Sequence, residues 1–272
     1  MYKEFDWLQE GKKMYAQSWQ SDNPIAVVCL VHGMGEHSSR YQHVADFLNN
    51  QDISLFTFDH IGHGKSEGKR GHTPNYDFLL DSVEKIVSIA YKEHQNIPLF
   101  VYGHSMGGNV VANYLLTRYP QVTGVILSAP WFTLPFEPPK FKVILAKLMN
   151  KIYPAFSDNT NLDVTAISRD KNVVEAYKND TLVHGKITPS FFLSCFNAGK
   201  WAKDNGKKVS ISTLVMHGTE DRLTSCKGSE EFASTNTLIE FKAYAGLYHE
   251  LHNEPEQQMV LENVMSFIKS KL

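Results

Sequence analysis

Residues 99–108 read Leu99-Phe100-Val101-Tyr102-Gly103-His104-Ser105-Met106-Gly107-Gly108, an apolar segment that runs directly into a G-x-S-x-G motif. The apolar segment is short and rich in β-prone side chains, and Pro98 precedes it, which predicts a buried strand. Beyond the motif, between Asn109 and Arg118, apolar residues recur at the spacing of one helix face. The sequence therefore predicts a strand, a tight turn and a helix, with Ser105 in the turn.

A serine in such a turn is held on a strained backbone, with its hydroxyl exposed at the top of a sheet. The N-terminus of the following helix lies beneath it and favours negative charge. Gly103, Gly107 and Gly108 suit this turn because it leaves little room for side chains. Ser105 is therefore the candidate nucleophile.

The composition of the 272-residue chain is that of a globular protein with a sizeable core, 42% hydrophobic and 21% charged. Its net charge of −2 gives no electrostatic basis for binding nucleic acid. Three cysteines do not make a disulfide framework, and Cys29 lies in an apolar run, which favours a reduced cytosolic setting. The first residues lack the apolar stretch of a signal peptide, and the longest apolar run, Ile25 to Val31, is too short to span a bilayer. We therefore expect a cytoplasmic protein.

Strands and helices alternate on both sides of the serine motif. A hairpin is predicted over residues 5–19, with Glu10-Gly11-Lys12 at its turn. Further strands are predicted over 25–31, 54–58, 99–102, 122–128, 213–216 and 239–244, and helices over 41–49, 76–94, 109–118 and 255–271. This alternation predicts a mostly parallel, doubly wound sheet with helices on both faces. Ligands of such sheets bind beyond the carboxyl ends of the strands, where Ser105 lies.

The alternation breaks between residues 131 and 204, which open with several prolines and continue with helical patterns and no convincing strand. We therefore expect residues 1–130 and 205–272 to form the core domain, and residues 131–204 to form a helical insertion. Because the insertion leaves the sheet just after the serine motif, it is placed to cover the site as a lid. The alternative is a structural excursion that only completes the surface.

A serine hydroxyl needs a base within hydrogen-bond reach and an acid that orients the base. Asp221 follows the predicted strand 213–216, and His249 follows the predicted strand 239–244. Both therefore lie at the same sheet edge as Ser105. The order serine, acid, histidine along the chain is also the order known for hydrolases on this kind of sheet. These three residues are the candidate nucleophile, orienting acid and base.

Other residues compete for these roles. Glu220 adjoins the Asp221 position, but a loop presents only one of two adjacent residues inward. His252 has the spacing of the first turn of a helix. His104 lies inside the serine turn and points away from a base position, and His217 ends a strand, where it is better placed to support the acid loop.

The sequence holds no cluster of metal ligands. The two histidines that begin and end His249-Glu250-Leu251-His252 are three residues apart, whereas the zinc motif H-E-x-x-H needs four. Serine, histidine and a carboxylate suffice for acyl transfer. We therefore expect neither a metal nor another cofactor.

Charge develops on the carbonyl oxygen as a serine attacks, and backbone N–H groups can stabilise it in an oxyanion hole. One donor should be the amide of Met106, the residue after the nucleophile. The second should come from the loop after an early strand, where Met34 lies between Gly33 and Gly35. Those glycines free the backbone on either side, so Met34 is the candidate. An ordinary strand-to-helix connection is the alternative.

Three motifs resemble those of one known family, the monoacylglycerol lipases and related lysophospholipases. Residues 32–41 are similar to its H-G-x-G-E-H-S-x-R-Y stretch, residues 58–68 to its F-D-x-x-G-H-G-x-S-x-G loop, and residues 103–108 to its G-H-S-M-G-G turn. The similarity runs across nearly the whole chain. It implies an α/β-hydrolase with a helical cap that cleaves the ester of a monoacylglycerol at the carboxyl carbon.

The resemblance also implies site residues: Ser105, Asp221 and His249 as the triad, with the amides of Met34 and Met106 in the oxyanion hole. Met34 replaces the small residue often found there, which a backbone donor tolerates. We expect Asp59 and Glu36 to hold loops near the site. A lysophospholipase or broad carboxylesterase is the enzymatic alternative, and a lipid-binding protein that retains the fold is the non-enzymatic one. A haloalkane dehalogenase is disfavoured, because it needs a carboxylate where Ser105 stands.

One amphipathic pattern in the insertion bears on the substrate. Its apolar residues share one helix face, at Phe141, Ile144, Leu145, Leu148, Met149 and Ile152, with lysines at 140, 147 and 151 along one flank. We interpret it as a cap helix whose apolar face lines an acyl tunnel or transiently touches a membrane surface. The alternative is an amphipathic helix packed on the protein. We expect a small lipid ester as substrate and a cytoplasmic protein, peripheral to a membrane where the helix touches one; the sequence does not indicate an oligomeric state.

Overall fold

An eight-stranded sheet organises the fold. The computed structural model describes residues 1–160 and 162–272. The strands of the described residues are β1 (Tyr2–Gln9), β2 (Lys12–Trp19), β3 (Ala26–Val31), β4 (Ile53–Phe58), β5 (Leu99–His104), β6 (Gly124–Ser128), β7 (Asp158–Asn159), β8 (Lys186–Ile187), β9 (Thr213–Gly218) and β10 (Ile239–Tyr244). Of these, β7 and β8 pair with each other in a separate small sheet. Across the sheet the order is β1-β2-β4-β3-β5-β6-β9-β10, and from β4 to β10 all neighbours are parallel.

Helices cover both faces of this sheet. The helices of the described residues are α1 (Gln42–Asn49), α2 (Tyr76–Glu93), α3 (Met106–Arg118), α4 (Lys140–Ile152), α5 (Lys171–Asn179), α6 (Pro189–Asp204), α7 (Cys226–Ala233) and α8 (Gln257–Lys269). Of these, α4 and α5 lie in segment 131–204 together with α6, on which α4 packs. Neighbouring strand residues point to opposite faces. Val101 accordingly packs in a cluster with α2 and α3, and Phe100 packs in a second cluster with α1 and α8. The core therefore consists of two apolar layers with the sheet between them.

The predicted doubly wound sheet is confirmed, and it is the architecture of an α/β-hydrolase. The predicted N-terminal hairpin is also confirmed, although its first strand already begins at Tyr2. Two central strands run further than their apolar patterns indicated. Strand β5 continues to His104, which pairs with Ser128, and β9 continues to Gly218, which pairs with Tyr244. In both strands the backbone hydrogen bonds continue past the last apolar residue, and a pattern of apolar side chains does not detect this extension.

The segment 131–204 contains α4, α5 and α6, as its helical patterns predicted. The expectation of no strand in it is wrong in one detail, because β7 and β8 form a two-residue antiparallel ladder. Strands of two residues are too short to produce a periodic pattern. Helix α6 contributes Phe191 and Cys195 to the core cluster beside α3. The boundaries of the predicted cap stay a prediction.

None of the helices in the described ranges is both long and apolar enough to cross a bilayer.

Candidate active site

Ser105 occupies the turn between β5 and α3 and has a strained backbone. Its φ of 54° and ψ of −116° lie outside the regions that L-residues ordinarily adopt. The surrounding glycines make the turn possible, since a Cβ on Gly107 would lie 2.1 Å from the carbonyl oxygen of Val31. The turn is held in place by a 2.9 Å hydrogen bond from the Ser105 amide to the Ser128 carbonyl. Strain of this kind persists only where the surrounding structure enforces it.

The three residues predicted as nucleophile, base and acid form one chain of hydrogen bonds. Nε2 of His249 lies 2.9 Å from Oγ of Ser105, and Nδ1 of His249 lies 2.7 Å from Oδ2 of Asp221. All three residues are buried. An ionised carboxylate only accepts hydrogen bonds, so Nδ1 of His249 carries the proton and Nε2 is free to accept from the serine. In this arrangement the histidine can remove the serine proton.

The charges around His249 favour its protonated form. Burial lowers the pKa of this imidazole, but the charge and hydrogen bond of Asp221 outweigh burial and raise the pKa above 6.5. Burial in turn raises the pKa of the Asp221 carboxyl, yet the charge of His249 and the hydrogen bonds from His217 and His249 hold it well below 3.8. An ionised acid next to a more basic imidazole is the electrostatic arrangement that a general base requires.

The turn after β9 presents Asp221 inward and leaves its neighbour outside. Oδ1 of Asp221 accepts the amides of Leu223, at 2.7 Å, and Thr224, at 3.0 Å. Glu220 is exposed, whereas Asp221 is buried. The structure therefore agrees with the expectation that only one of the two adjacent carboxylates points into the site.

Two further histidines lie near the base: the ring of His104 packs against that of His249, and His252 packs against His104. The ring centroid of His104 lies 4.8 Å from that of His249, and burial lowers the pKa of His104 to about 4, so its ring is uncharged at neutral pH. His252 lies in a 3-10 turn over Leu251–Asn253 and stacks on Tyr41 at 4.6 Å. His104 thus neighbours the base more closely than the sequence suggested, while the serine hydroxyl bonds to His249.

The two predicted oxyanion amides lie in the expected elements. Met106 is the first residue of α3, and the first amides of a helix have no acceptor within the helix. Met34 lines the cavity above Ser105. The amide of Gly33 already donates to Glu36 at 2.6 Å. The next amide after Gly33 is that of Met34, and the next after Ser105 is that of Met106. These two amides stay the predicted oxyanion donors.

A buried ion network, formed by Glu36, Arg40 and Glu250, joins two loops of the site. Arg40 binds Glu36 at 2.7 Å and both carboxylate oxygens of Glu250 at 2.7 Å. Glu36 also accepts the hydroxyl of Tyr41 at 2.8 Å. Burial raises the pKa of Glu36, but the charge of Arg40 outweighs this and brings it to about 2. The network connects the loop after β3 to the loop that carries the base.

Asp59 holds the neighbouring loop in a similar way. One of its carboxylate oxygens accepts the amide and the hydroxyl of Ser38, at 2.8 and 2.6 Å, and the other accepts the amide of Lys65 at 2.7 Å. These are the contacts expected of a residue that supports loops near the site.

The site opens into a cavity of about 640 Å³, a volume typical of small-molecule sites. Its lining has two chemistries. The apolar part includes Trp131, Leu134, Val143, Ala146, Ile187 and Phe192. The polar part includes Asp158, Asn159, Thr160, Asp163 and Arg222. Such a lining suits a ligand with an apolar chain and a polar head.

The four α4 residues predicted to bind substrate do not line this cavity. Phe141, Ile144, Leu145 and Leu148 are between 52% and 65% exposed, and Val143 and Ala146 from the other side of the helix line the cavity instead. Their placement corrects the expectation of an acyl tunnel formed by the apolar stripe. The spacing identifies an apolar face, but it does not indicate which face of the helix turns toward the protein.

Several site residues were missed by the sequence reasoning. Arg40 belongs to the H-G-x-G-E-H-S-x-R-Y stretch, and Glu250 directly follows the base, so both carried a positional signal. Thr224, which contacts Asp221, and Val143 and Ala146, which line the cavity, had none. Their roles depend on packing between segments distant in the sequence.

Comparisons with known proteins identify the family and the fold of this chain. The family described as "Serine aminopeptidase, S33" matches residues 22–256. A monoacylglycerol lipase from Mycolicibacterium smegmatis is 37% identical over 96% of this chain and 95% of its own length. The crystal structure of a monoacylglycerol lipase from Paleococcus ferrophilus superimposes with a TM-score of 0.87 and 30% identity, over 95% of this chain and 99% of that one. A soluble variant of monoglyceride lipase from Saccharomyces cerevisiae, solved with a substrate analog, gives 0.87 and 26%, over 98% of this chain and 94% of that one.

Proposed function

We propose that this chain cleaves monoacylglycerols to a fatty acid and glycerol. The premise is its family: the chain belongs to the hydrolase family described as serine aminopeptidase, S33. The observation that carries the proposal is the hydrogen-bonded chain from Ser105 through His249 to Asp221, which opens into a cavity of mixed apolar and polar lining. The similar proteins described as monoacylglycerol or monoglyceride lipases support the same substrate.

The reaction follows from this geometry in two steps. Oγ of Ser105 attacks the ester carbonyl carbon while Nε2 of His249 takes its proton, and the amides of Met34 and Met106 stabilise the negative oxygen. The carbon–oxygen bond to glycerol then breaks, and glycerol leaves with the proton from His249. Water, deprotonated by His249, attacks the acyl carbon; the bond from that carbon to Oγ of Ser105 breaks, His249 returns the proton to Oγ, and the fatty acid leaves. Asp221 stays ionised throughout and stabilises the imidazolium.

The charges of the cavity lining favour an uncharged headgroup. Asp163 lies 3.5 Å from Arg222, so those two charges offset each other. Asp158 adds a further acidic side chain to the lining. A phosphate-bearing headgroup would meet this net negative charge, whereas glycerol can hydrogen-bond to it. The lining therefore supports a monoacylglycerol over a lysophospholipid.

We also propose that the exposed face of α4 contacts a lipid surface, which would make the protein peripheral to a membrane. The apolar stripe of α4 continues in exposed Ile152, Tyr153 and Phe156. Phe136 is 61% exposed and also lines the cavity, so the cavity opens beside exposed apolar surface. Apolar side chains flanked by lysines are typical of helices that lie in a membrane interface. This placement would bring the cavity close to substrates that partition into lipid.

Hydrolysis of a substrate panel tests the proposed activity. We expect release of fatty acid and glycerol from monoacylglycerols, faster than release of fatty acid from lysophosphatidylcholine of the same acyl chain. Ser105→Ala should lose turnover and labelling by a fluorophosphonate probe, whereas Ser234→Ala, at an exposed serine, should retain both. Full turnover in Ser105→Ala would contradict the proposal. A wild-type protein that binds the lipids but is neither active nor labelled would indicate a lipid-binding protein.

A further inference from the structure

Two histidines bind the same oxygen of Asp221. His249 Nδ1 lies 2.7 Å from Oδ2, and His217 Nε2 lies 3.0 Å from it. The carboxylate only accepts, so Nε2 of His217 carries a proton in either charge state of the ring. His217 is therefore a second N–H donor to the oxygen that orients the base.

The ring of His217 is fixed on both sides. Its Nδ1 lies 2.8 Å from Oγ of Ser229 in α7, so both ring nitrogens have a partner. The residue has no exposed surface, and its backbone lies in β9, in register with Ala243 of β10. Asp221 and His249, in contrast, lie in loops beyond the strand ends. His217 thus connects the Asp221 carboxylate directly to the sheet.

Thr224 also offers a hydroxyl to Oδ2 of Asp221, but this hydroxyl has a second acceptor within reach. Oγ1 of Thr224 lies 2.9 Å from Oδ2 of Asp221 and 3.1 Å from the carbonyl oxygen of Ala129. A hydroxyl has one hydrogen to donate, so it serves one of these acceptors well at any moment. Nε2 of His217 lies closer to Oδ2 of Asp221, at 3.0 Å, than to Oγ1 of Thr224, at 3.4 Å, which makes His217 the steadier support.

From these contacts we infer that His217 is a positioning residue of the reaction. Its hydrogen bond holds Oδ2 of Asp221 where Nδ1 of His249 meets it, in particular when His249 becomes an imidazolium during turnover. Without this donor, Oδ1 of Asp221 stays on the amides of Leu223 and Thr224, but Oδ2 keeps only His249 and the shared hydroxyl of Thr224, so the base is oriented less firmly. The inference rests on the proposed function, because positioning has a consequence only if the triad turns over an ester.

A pair of variants at this position tests the inference. His217→Met removes the donor at similar size, and we expect kcat for monoacylglycerol hydrolysis to fall by about ten- to a hundredfold, the effect of losing a hydrogen bond to a charged group. KM should change little, because the side chain is buried beneath the acid. His217→Gln can direct an amide N–H toward Asp221 and should recover most of kcat.

Two further variants separate positioning from a general effect of burial. His60→Gln is the matched control: His60 is equally buried, and its ring packs on Phe58 and His32, outside the Asp221 contacts. It should keep wild-type kcat. Ser229→Ala removes the hydrogen-bond partner of Nδ1 of His217, so the ring is held less firmly and kcat should fall by a few-fold. This variant provides the test if His217→Met does not fold.

The inference is overturned if His217→Met keeps wild-type kcat, or if His217→Gln and His60→Gln lose as much kcat as His217→Met does. If His217→Met does not fold, wild-type kcat in Ser229→Ala overturns it. Failure of the proposed function gives a different result, a wild-type protein that releases no fatty acid and is not labelled by a fluorophosphonate. The four variants are therefore measured beside wild type on the monoacylglycerol and on a soluble p-nitrophenyl ester.

Discussion

The carboxylate of Glu36 accepts the backbone N–H of Gly33 at 2.6 Å, one residue before Met34. This contact engages the amide of Gly33 in the loop after β3, directly before the predicted oxyanion donor. Because Arg40 holds the other oxygen of Glu36 at 2.7 Å, the loop is fixed by a buried charge and not by glycine-rich backbone alone. The loop that carries the predicted oxyanion donor, Met34, is thus connected to the Glu36–Arg40–Glu250 network.

Replacing this carboxylate should weaken transition-state binding more than substrate binding. In Glu36→Gln the amide NH₂ group meets the Arg40 guanidinium, donor against donor, so the loop should shift. We expect kcat to fall by about tenfold or more, with KM nearly unchanged, since a displaced oxyanion donor acts in the transition state. Inhibition constants for a boronic acid, which mimics the tetrahedral intermediate, should rise in parallel.

The conservative variant Glu240→Gln provides the control, because Glu240 is an exposed residue of β10. A Glu36→Gln protein that binds the boronic acid as tightly as wild type would contradict the role assigned to Glu36.

The pH dependence of kcat/KM should report the raised pKa of His249. The base must be neutral to accept the serine proton, so activity falls as pH drops through its pKa. Although burial lowers this pKa, Asp221, Glu250 and Glu36 raise it above 6.5. We therefore expect the midpoint of the acid limb above pH 6.5, and a lower midpoint in Glu250→Gln. A limb centred below 6.5 in wild type would contradict the electrostatics described here.

Acid should destabilise the fold well before the carboxylates protonate. Burial holds the pKa of His60, His63 and His252 well below 6.5, so they stay neutral in the folded chain and gain protons only on unfolding. Their stability contribution is complete above pH 6.5 and is lost as pH falls below it, by up to about 1.4 kcal/mol per pH unit for each histidine. His249 acts in the opposite direction, because its folded pKa is raised.

Histidines whose pKa is lowered by burial, which also include His104, outnumber His249, so we expect a net loss of stability and a urea midpoint that falls steadily between pH 7 and pH 5. Measurements at low and high salt provide the control, since buried groups are screened less than surface ion pairs. A midpoint that stays level or rises on acidification would be inconsistent with neutral buried histidines.

The exposed stripe of α4 should govern binding to lipid vesicles. In the double variant Ile144→Ser, Leu148→Ser, two apolar side chains that are more than half exposed become polar. We expect vesicle affinity to fall by about tenfold or more, since burial of one such side chain contributes about 1.5–3 kcal/mol. Turnover of a water-soluble short-chain ester should not change, because neither side chain lines the cavity. Sedimentation with anionic vesicles measures the affinity.

A matched double variant, Leu8→Ser with Leu238→Ser, removes comparable exposed apolar surface in β1 and just before β10. It should bind vesicles as wild type does. Equal loss of affinity in both double variants would show that α4 has no special part in docking.

Much of the fold and the chemistry of the site follows from local patterns. The apolar run before Ser105 and the helical spacing after it predict a strand, turn and helix, and the structure has them as β5 and α3. Asp221 and His249 could be placed beside the serine because parallel strands end at one edge of a sheet. Local periodicity and chain order are sufficient for such inferences, since each concerns a single element or the sheet as a whole.

Tertiary packing decided the contacts that join distant segments. The apolar stripe of α4 has the same spacing whether it faces inward or outward, and only the contact of Val143 and Ala146 with the cavity orients the helix. In the same way, the position of His217 at a strand end predicted support of the acid loop, but only the packing brings its ring within 3.0 Å of Oδ2 of Asp221. Such contacts depend on the relative positions of whole elements, which residue periodicity does not encode.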